Sequence, residues 1–514
     1  MTRSFSRREL TAKLAALDVA LGATTCSIYD WDAWPLIRLR LASQLADGDA
    51  LSEVDRGSGL EACLRRRVHE EGWSDAWPWV RTALAWPQQG ATRGSLLLRP
   101  ENSTGDAVLL THANRTVYLG DRYFHYMADP LSSELAASGT ALATWELGLC
   151  PVPEQTPHVH CSRRLAAGAA HRMMRHEVAR VDAPPRWFWT VEDLVERHLG
   201  LRLRWWELAR YCRNVQAHSL EFMGWLLRGR YGALLLDVWY DEVCMGATLA
   251  ASRVGLPVVD YQHGLQGSTH PAYSGWWHPR GQLHDLRPSE FWVWSHREAE
   301  ALLKPGGIAY ENSTVQIVGN LWMNAWHVGG NDVLEAAVLQ ARRLRGTAKV
   351  CVLVTLQSQT DIPDACELLA DAPSDWQWLV RVHRRDAADA ERIHALIQGH
   401  AAHVDVLVAS RLPLYALFQA VDCHVTWFST CAVEALGFGL PSVILGRSGL
   451  DALSDYIADG DMTWASSSAE ACRTIKRTVQ VHDAQRILGS DASAGQAPPV
   501  HGAIRRVLVK RRKA

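Results

Sequence analysis

Apolar residues follow two rhythms along this chain. Short apolar runs of strand length alternate with longer stretches in which apolar residues recur at helical spacing. Early on, Thr25–Tyr29 reads as a short strand, and Trp34–Leu45 reads as a helix whose Pro35 suits a first turn. Ala107–His112 (AVLLTH) is a candidate buried strand, and Trp187–Leu227 is mainly helical and rich in Trp. Next come a strand at Ala233–Val238, a helix at Cys244–Arg253 ended by Gly255-Leu256-Pro257, and a strand at Val258–Tyr261. Strand, helix and strand with short joints form a βαβ unit and imply a parallel sheet. Phe291–Trp294 and Val315–Val318 extend it.

The alternation restarts further on. Strands are expected at Val350–Leu356, Trp378–Val382, Val404–Val408, Cys423–Trp427 and Ser442–Leu445. Helices fall between them at Pro363–Ala370, Ala387–Gln398, Pro413–Ala420 and Cys431–Gly437. Turn-rich breaks lie at 88–94, 151–157, 181–185, 329–331 and 489–499. The expected architecture is α/β, with two doubly wound, Rossmann-like domains in tandem. An N-terminal domain covers 1–325 with a helical insertion near 185–230, a second covers 326–490, and a basic tail covers 491–514. A cleft between two such domains is the default ligand site.

Composition narrows the classes. With 514 residues, 48% hydrophobic and 21% charged, the chain has enough apolar surface for more than one core. Its 53 basic and 55 acidic residues nearly cancel, which argues against a nucleic-acid partner. No apolar run approaches membrane-spanning length. Eleven scattered cysteines without a CxxC pair read as reduced thiols, which suggests a cytoplasmic setting. The basic end (Arg505, Arg506, Lys510, Arg511, Arg512, Lys513) suits contact with anionic lipid at the inner face of a membrane and equally suits a solvated tail.

Chemistry concentrates at predicted strand ends, where open α/β sheets bind ligands. After Val258–Tyr261 come Gln262, His263 and Gly264, then His270. His263 is a candidate general base, with Gly264 allowing a sharp turn and Asp260 or Asp241 orienting the ring. After Trp378–Val382, the Arg381-Val382-His383-Arg384-Arg385 cluster is a candidate phosphate clamp. Ser429 and Thr430 fall at a strand-to-helix junction, where free N–H groups attract phosphate. Glu434 lies in the first turn or so of that helix, and Gln357 ends the strand Val350–Leu356. The Asp30-Trp31-Asp32 and Asp459-Gly460-Asp461 triplets are too common a pattern to assign a metal. His158, His160 and Cys161 lack further zinc ligands in sequence and read as surface loop residues. There is no P-loop and no nucleophile elbow.

The segment 412–445 (LPLYALFQAVDCHVTWFSTCAVEALGFGLPSVIL), taken with Arg381 and His383, resembles the nucleotide-binding half of GT-B glycosyltransferases of bacterial capsule and lipopolysaccharide synthesis. Transferases of CMP-linked ulosonic acids are among them, and teichoic acid glycerophosphotransferases and sugar-nucleotide epimerases are similar. Residues 107–135 and 258–273 also look like segments of surface-carbohydrate proteins. The resemblance implies a GT-B arrangement with the active site in the interdomain cleft. Donor phosphates would meet Gln357, Arg381, His383, Arg384, Ser429, Thr430 and Glu434. His263, with Asp260 and Asp241, would do the proton chemistry, and Gln262, Gly264 and His270 would face the acceptor. Arg384 stands where the family has Pro. Gln262-His263-Gly264 replaces the Glu-Asp-Gly of retaining Kdo transferases, which points to inverting displacement. The implied substrates are a nucleotide-sugar and a glycan or lipid-linked glycan, with no metal and no cofactor. A CDP-polyol glycerophosphotransferase, an epimerase and a non-catalytic scaffold are the alternatives.

Overall fold

The computed structural model describes residues 5–45, 100, 103–120, 122–148, 158–383, 390–401, 403–487 and 500–513. The turn-rich breaks at 88–94, 151–157 and 489–499, and Arg384 and Arg385, lie outside the described residues. Two compact units form: the first takes in the residues up to Val117, Arg122–Leu321 and the C-terminal helix, and the second takes in 118–120 and the residues from Trp322 to the C-terminal helix.

The first unit opens with a helix, Arg7–Leu21, started by a capping box in which Ser6 and Glu9 exchange hydrogen bonds. A small antiparallel pair follows, β1 (Ser27–Ile28) and β2 (Trp31–Asp32), and then the helix Trp34–Leu45. Its main sheet has seven strands. In chain order these are β3 (Ala107–His112), β6 (Leu142–Leu147), β7 (Val159–His160), β8 (Leu234–Leu236), β9 (Val258–Tyr261), β10 (Glu290–Val293) and β11 (Thr314–Ile317). A hairpin, β4 (Thr116–Leu119) and β5 (Arg122–His125), follows β3. The spatial order is β11-β10-β9-β8-β3-β6-β7, with every pairing parallel. The chain runs outward from β3 through β6 and β7, then returns to the other side of β3 to lay down β8. The gap between the ends of β3 and β8 is therefore a topological switch point.

Both faces of this sheet are covered, which is why its strands read as apolar runs with little alternation. Val108 and Leu110 face one core, which also holds Leu234, Leu236, Val258 and Phe291. Ala107 and Leu109 face the other, with Leu235 and Val259. That second core is closed by Val500, Ala503, Ile504 and Val507 of the helix Val500–Lys513. The expected basic tail is thus, from Val500 on, a helix of the first unit: its apolar stripe is buried, while Arg505 and Arg506 are exposed.

The second unit carries a six-stranded parallel sheet: β12 (Val350–Thr355), β13 (Trp376–Arg381), β14 (Val404–Asp405), β15 (Cys423–Thr426), β16 (Ser442–Leu445) and β17 (Met462–Ala465). The order β14-β13-β12-β15-β16-β17 again places the switch point beside the first strand, between β12 and β15. The strand expected over Val404–Val408 stops at Asp405. Its carboxylate accepts the amide of Ala409 at 2.7 Å and turns the chain into the short helix Leu407–Arg411. The fold is α/β with two Rossmann-like parallel sheets, one in each unit.

Candidate functional site

The switch point of the first sheet holds a connected polar cluster. Asp237 follows β8 and is fully buried. Its Oδ2 accepts from the Thr111 hydroxyl at 2.9 Å, the His112 amide at 3.3 Å and Arg115 Nε at 3.3 Å, and its Oδ1 lies 2.9 Å from His112 Nδ1. Burial alone would raise the Asp237 carboxyl. His112, Arg115 and His263 outweigh it and hold the carboxylate well below its usual range. The other nitrogen of His112, Nε2, lies 3.3 Å from Asp241 Oδ2. Burial disfavours the imidazolium, but the two carboxylates push His112 up to about 10.

Asp241 therefore grips His112, and its Oδ1 also caps the helix Glu242–Arg253 by accepting the Cys244 amide at 2.6 Å. Asp260 lies within β9 and is fully buried. Burial pushes its carboxyl up to about 8, aided by Asp237 and opposed by Tyr273 and Gln266, whose amide donates to it at 2.8 Å. Neither acid is placed as the sequence suggested. Burial favours the neutral form of Asp260, and Asp241 is bound to His112. Asp237 is the carboxylate on which His263 acts electrostatically, after His112 and Arg115.

His263 follows β9, half-buried, with its ring centroid 6.3 Å from that of Tyr240. The neighbours assigned to an acceptor have structural tasks. Gln262 is buried; its Nε2 donates to the Gly264 carbonyl at 2.9 Å and its Oε1 accepts the Trp294 amide at 2.6 Å. The turn is tied by that side chain, and Gly264 is not among the glycines of positive φ. His270 accepts the Ala272 amide through Nδ1 and lies between Tyr240 and Tyr273. The loop is anchored from below by Arg38, which is fully buried. Arg38 donates to the carbonyls of Pro271, Ser274 and Gly275, is paired with Asp18 at 3.3 Å, and lies over the Trp276 ring at 4.1 Å.

A second cluster continues along the ends of β6 and β7. Glu146 is buried, with Oε1 2.6 Å from His158 Nδ1 and Oε2 2.8 Å from His160 Nδ1. His158 Nε2 lies 3.2 Å from Asp129. Burial opposes the charge on both partners, yet Asp129 and Glu146 raise His158 to about 9, and the two imidazoles lower Glu146 to about 2. His158 and His160 are thus members of a buried ion cluster and not surface loop residues. Beside them, His125 Nδ1 accepts the amides of Met127 and Ala128, which leaves its proton on Nε2, facing Thr111 Oγ1 at 3.4 Å. Thr111 joins the two clusters.

In the second unit, the switch point is floored by a buried polar ladder. Thr355 Oγ1 meets His424 Nε2 at 2.8 Å, His424 Nδ1 meets Ser442 Oγ at 3.1 Å, and the Thr426 hydroxyl donates to the Thr355 carbonyl at 2.9 Å. Burial lowers His424 to about 3, so it is neutral. Gln357 follows β12, its amide bound by Asp361 at 2.8 Å. Ser429 and Thr430 follow β15 and precede the helix Cys431–Gly437, with Ser429 Oγ accepting the Cys431 amide at 3.2 Å. Glu434 accepts the Tyr415 hydroxyl at 2.8 Å. Arg381 is turned into its own unit: its Nη1 donates to the carbonyls of Ala409, at 3.0 Å, and of Ser410 and Leu412. These are the last carbonyls of the helix Leu407–Arg411, so Arg381 acts there as a C-terminal cap. His383 lies two residues beyond β13, half-buried.

The sequence reading did not single out His112, Asp237, Arg115 or Glu146. His112 and Asp237 were nevertheless marked. Each stands at the carboxyl end of an apolar run, AVLLTH and ALLLDV, and neighbouring parallel strands bring such ends together.

No family model matches the chain, and no curated protein matches it. Solved structures do. S. aureus MnaA, in a structure with UDP, is 12% identical, covers 79% of this chain and 97% of its own, and has a TM-score of 0.46. The UDP-GlcNAc 2-epimerase of Neisseria meningitidis, bound to UDP-GlcNAc, is 13% identical over 79% and 100%, at 0.44. The spinosyn rhamnosyltransferase SpnG is 15% identical over 79% and 99%, at 0.43.

Proposed function

We propose that this chain is a GT-B-type glycosyltransferase that moves a sugar from a nucleotide-activated donor to a hydroxyl of a surface glycan or lipid-linked glycan, by direct inverting displacement. The observation that carries this reading is the strand order of the second sheet. It sets Gln357 after β12 and Ser429 and Thr430 after β15, at the two strand ends that flank the switch point. In doubly wound sheets that crevice holds the nucleotide. The resemblance of 412–445 to donor-binding halves falls on the same strand and helix.

The hydroxyls of Ser429 and Thr430, at the start of the following helix, would hold the leaving phosphate. Well-placed donors of this kind each stabilise developing charge by about 3–4 kcal/mol. Arg381 holds the end of β13 in place through Nη1 on helix carbonyls, and it also acts electrostatically on Cys431 beside the Ser429–Thr430 loop, with His383 two residues beyond β13. His263 would take the acceptor proton, and Asp237 would stabilise the imidazolium that results. A CMP-linked ulosonic acid heads the donors that the sequence favours. Arg505 and Arg506 would bring the protein to an anionic membrane surface at the cytoplasmic side.

The test begins with thermal shifts against CMP, CDP, UDP and GDP, since a bound nucleotide raises stability as RT ln(1 + [L]/Kd). Turnover is then measured with the matching sugar donors and with CDP-glycerol, with and without acceptor. His263→Ala should lower acceptor-dependent turnover about 100-fold or more, with nucleotide affinity little changed. Near-normal turnover would remove His263 as the base. Conversion without any acceptor would make the protein an epimerase, and a flat nucleotide screen would make it a non-catalytic scaffold.

A further inference from the structure

We propose that His112, Asp241 and Cys244 form a site for a zinc-class divalent cation at the switch point of the first sheet. The inference goes beyond the transferase reading and departs from the sequence expectation of no metal. His112 Nε2, a carboxylate oxygen of Asp241 and the sulfur of Cys244 all lie within 4.8 Å of one another. Imidazole, carboxylate and thiolate form a donor set that suits zinc or cobalt better than magnesium or calcium.

Geometry agrees at the one ligand pair with a defined separation. Zinc–nitrogen and zinc–oxygen bonds of about 2.0–2.1 Å, at a tetrahedral angle, set the two donor atoms about 3.3 Å apart. His112 Nε2 and Asp241 Oδ2 are 3.3 Å apart. The surroundings are those of a ligating histidine. Its second nitrogen, Nδ1, faces Asp237 Oδ1 at 2.9 Å, the carboxylate–histidine contact that fixes ring and tautomer for a metal on Nε2. Asp237 is in turn held by Thr111 and Arg115, so the ring is oriented from behind. Cys244 is fully buried, while the side chains of His112 and Asp241 keep 25% and 11% exposure. The trio is thus closed on the sulfur side and reachable from the imidazole side. Three protein ligands leave one tetrahedral corner for water or a substrate oxygen.

The helix Glu242–Arg253 supplies two of the ligands from its first turn, which explains their spacing. Asp241 caps the helix and Cys244 is three residues on, so one turn brings both to the same end. The local helix dipole disfavours a cation there. Asp237, Asp241 and a thiolate supply three negative charges against it. Binding would release the thiol proton of Cys244 and the proton held on His112 Nε2.

The experiment uses the full-length protein purified without chelator. Metal content is measured by mass spectrometry, and chelated protein is titrated with Co²⁺ and back-titrated with Zn²⁺. The expected result is one Co²⁺ per chain with a thiolate-to-cobalt charge-transfer band in the near ultraviolet, reversed by Zn²⁺. Cys244→Ser should abolish that band, whereas the control Cys366→Ser should keep it. His112→Ala should lose stoichiometric binding. Asp237→Asn should weaken Co²⁺ binding about 10–100-fold while keeping the band. A wild-type titration without the band overturns the site, even if a variant fails to fold. Persistence of the band in Cys244→Ser overturns it equally. These readouts need no sugar donor, so the transferase reading can fail while the metal site stands, and the reverse.

Discussion

Replacing Asp260 by Asn should make the protein more stable at neutral pH, although it removes a buried carboxyl at the end of a central strand. The residue is fully buried in β9, and burial pushes its carboxyl up to about 8. An unfolded aspartate titrates near 3.9. Folding therefore takes up a proton, and stability falls as pH rises between those two values. The slope is about 1.4 kcal/mol per pH unit, so from pH 5 to pH 7 the wild type loses about 2.6 kcal/mol that an asparagine would not lose. Asparagine keeps the size and a carbonyl oxygen that can accept from Gln266, so little new cost opposes the gain. Scanning calorimetry at pH 5, 6 and 7 on both proteins measures it. For a domain of this size the gap in Tm should widen by roughly 5–10 °C across the series, with the variant higher at pH 7. A gap that stays constant with pH, or a variant that melts lower at pH 7, would show that Asp260 is ionised in the native state.

Other outcomes follow from the same geometry. Arg381→Ala strands the carbonyls of Ala409, Ser410 and Leu412, and should destabilise the second unit by about 2–3 kcal/mol in denaturant titrations; unchanged stability with lost nucleotide binding would return Arg381 to the phosphate. Glu146→Gln should move the NMR titration midpoint of His158 down from about 9 towards 6.5. The stability that pair provides, present below the ordinary histidine value and lost as pH rises through about 9, should shrink with it; an unmoved midpoint would leave Asp129 as the sole partner. Arg38→Met removes the guanidinium salt-bridged to buried Asp18, which keeps only hydrogen bonds from Trp34, Trp277 and His278, and strips the Pro271, Ser274 and Gly275 carbonyls of their donor; it should cost about 3–5 kcal/mol of stability, read from urea unfolding, and a near-neutral result would mean that the loop is held elsewhere.

Much of the scaffold could be read because parallel strands covered on both faces leave an unmistakable apolar signature. Ala107–His112, Val258–Tyr261 and Ser442–Leu445 were expected at their observed bounds. β6, with sequence LATWEL, escaped notice because Thr144 and Glu146 break its apolar run, and those polar positions are tolerable only beside partners such as His158 and His160. β7 is two residues long and pairs only at Trp145–Val159 and Glu146–His160, too short to leave a pattern. The polar cluster at the first switch point was half legible. His263 stands out after its strand, but its charge partner Asp237 becomes apparent only once β3, β8 and β9 are laid side by side. The contacts of Arg381 with the carbonyls of Ala409, Ser410 and Leu412 left no sign in the sequence, because a guanidinium at a strand end serves a helix's carbonyls as readily as a phosphate.

The helix Val500–Lys513 carries a kinetic consequence. Its Val500, Ile504 and Val507 fill the face beneath β3 and β8, yet the whole second unit intervenes in sequence between those strands and that helix. The first unit is therefore sewn shut by a contact of very long sequence separation, whose loop-closure entropy must be met before the apolar reward arrives. Refolding from denaturant should then show the second unit regaining structure first, with a slower phase in which the late helix seats and the first unit locks.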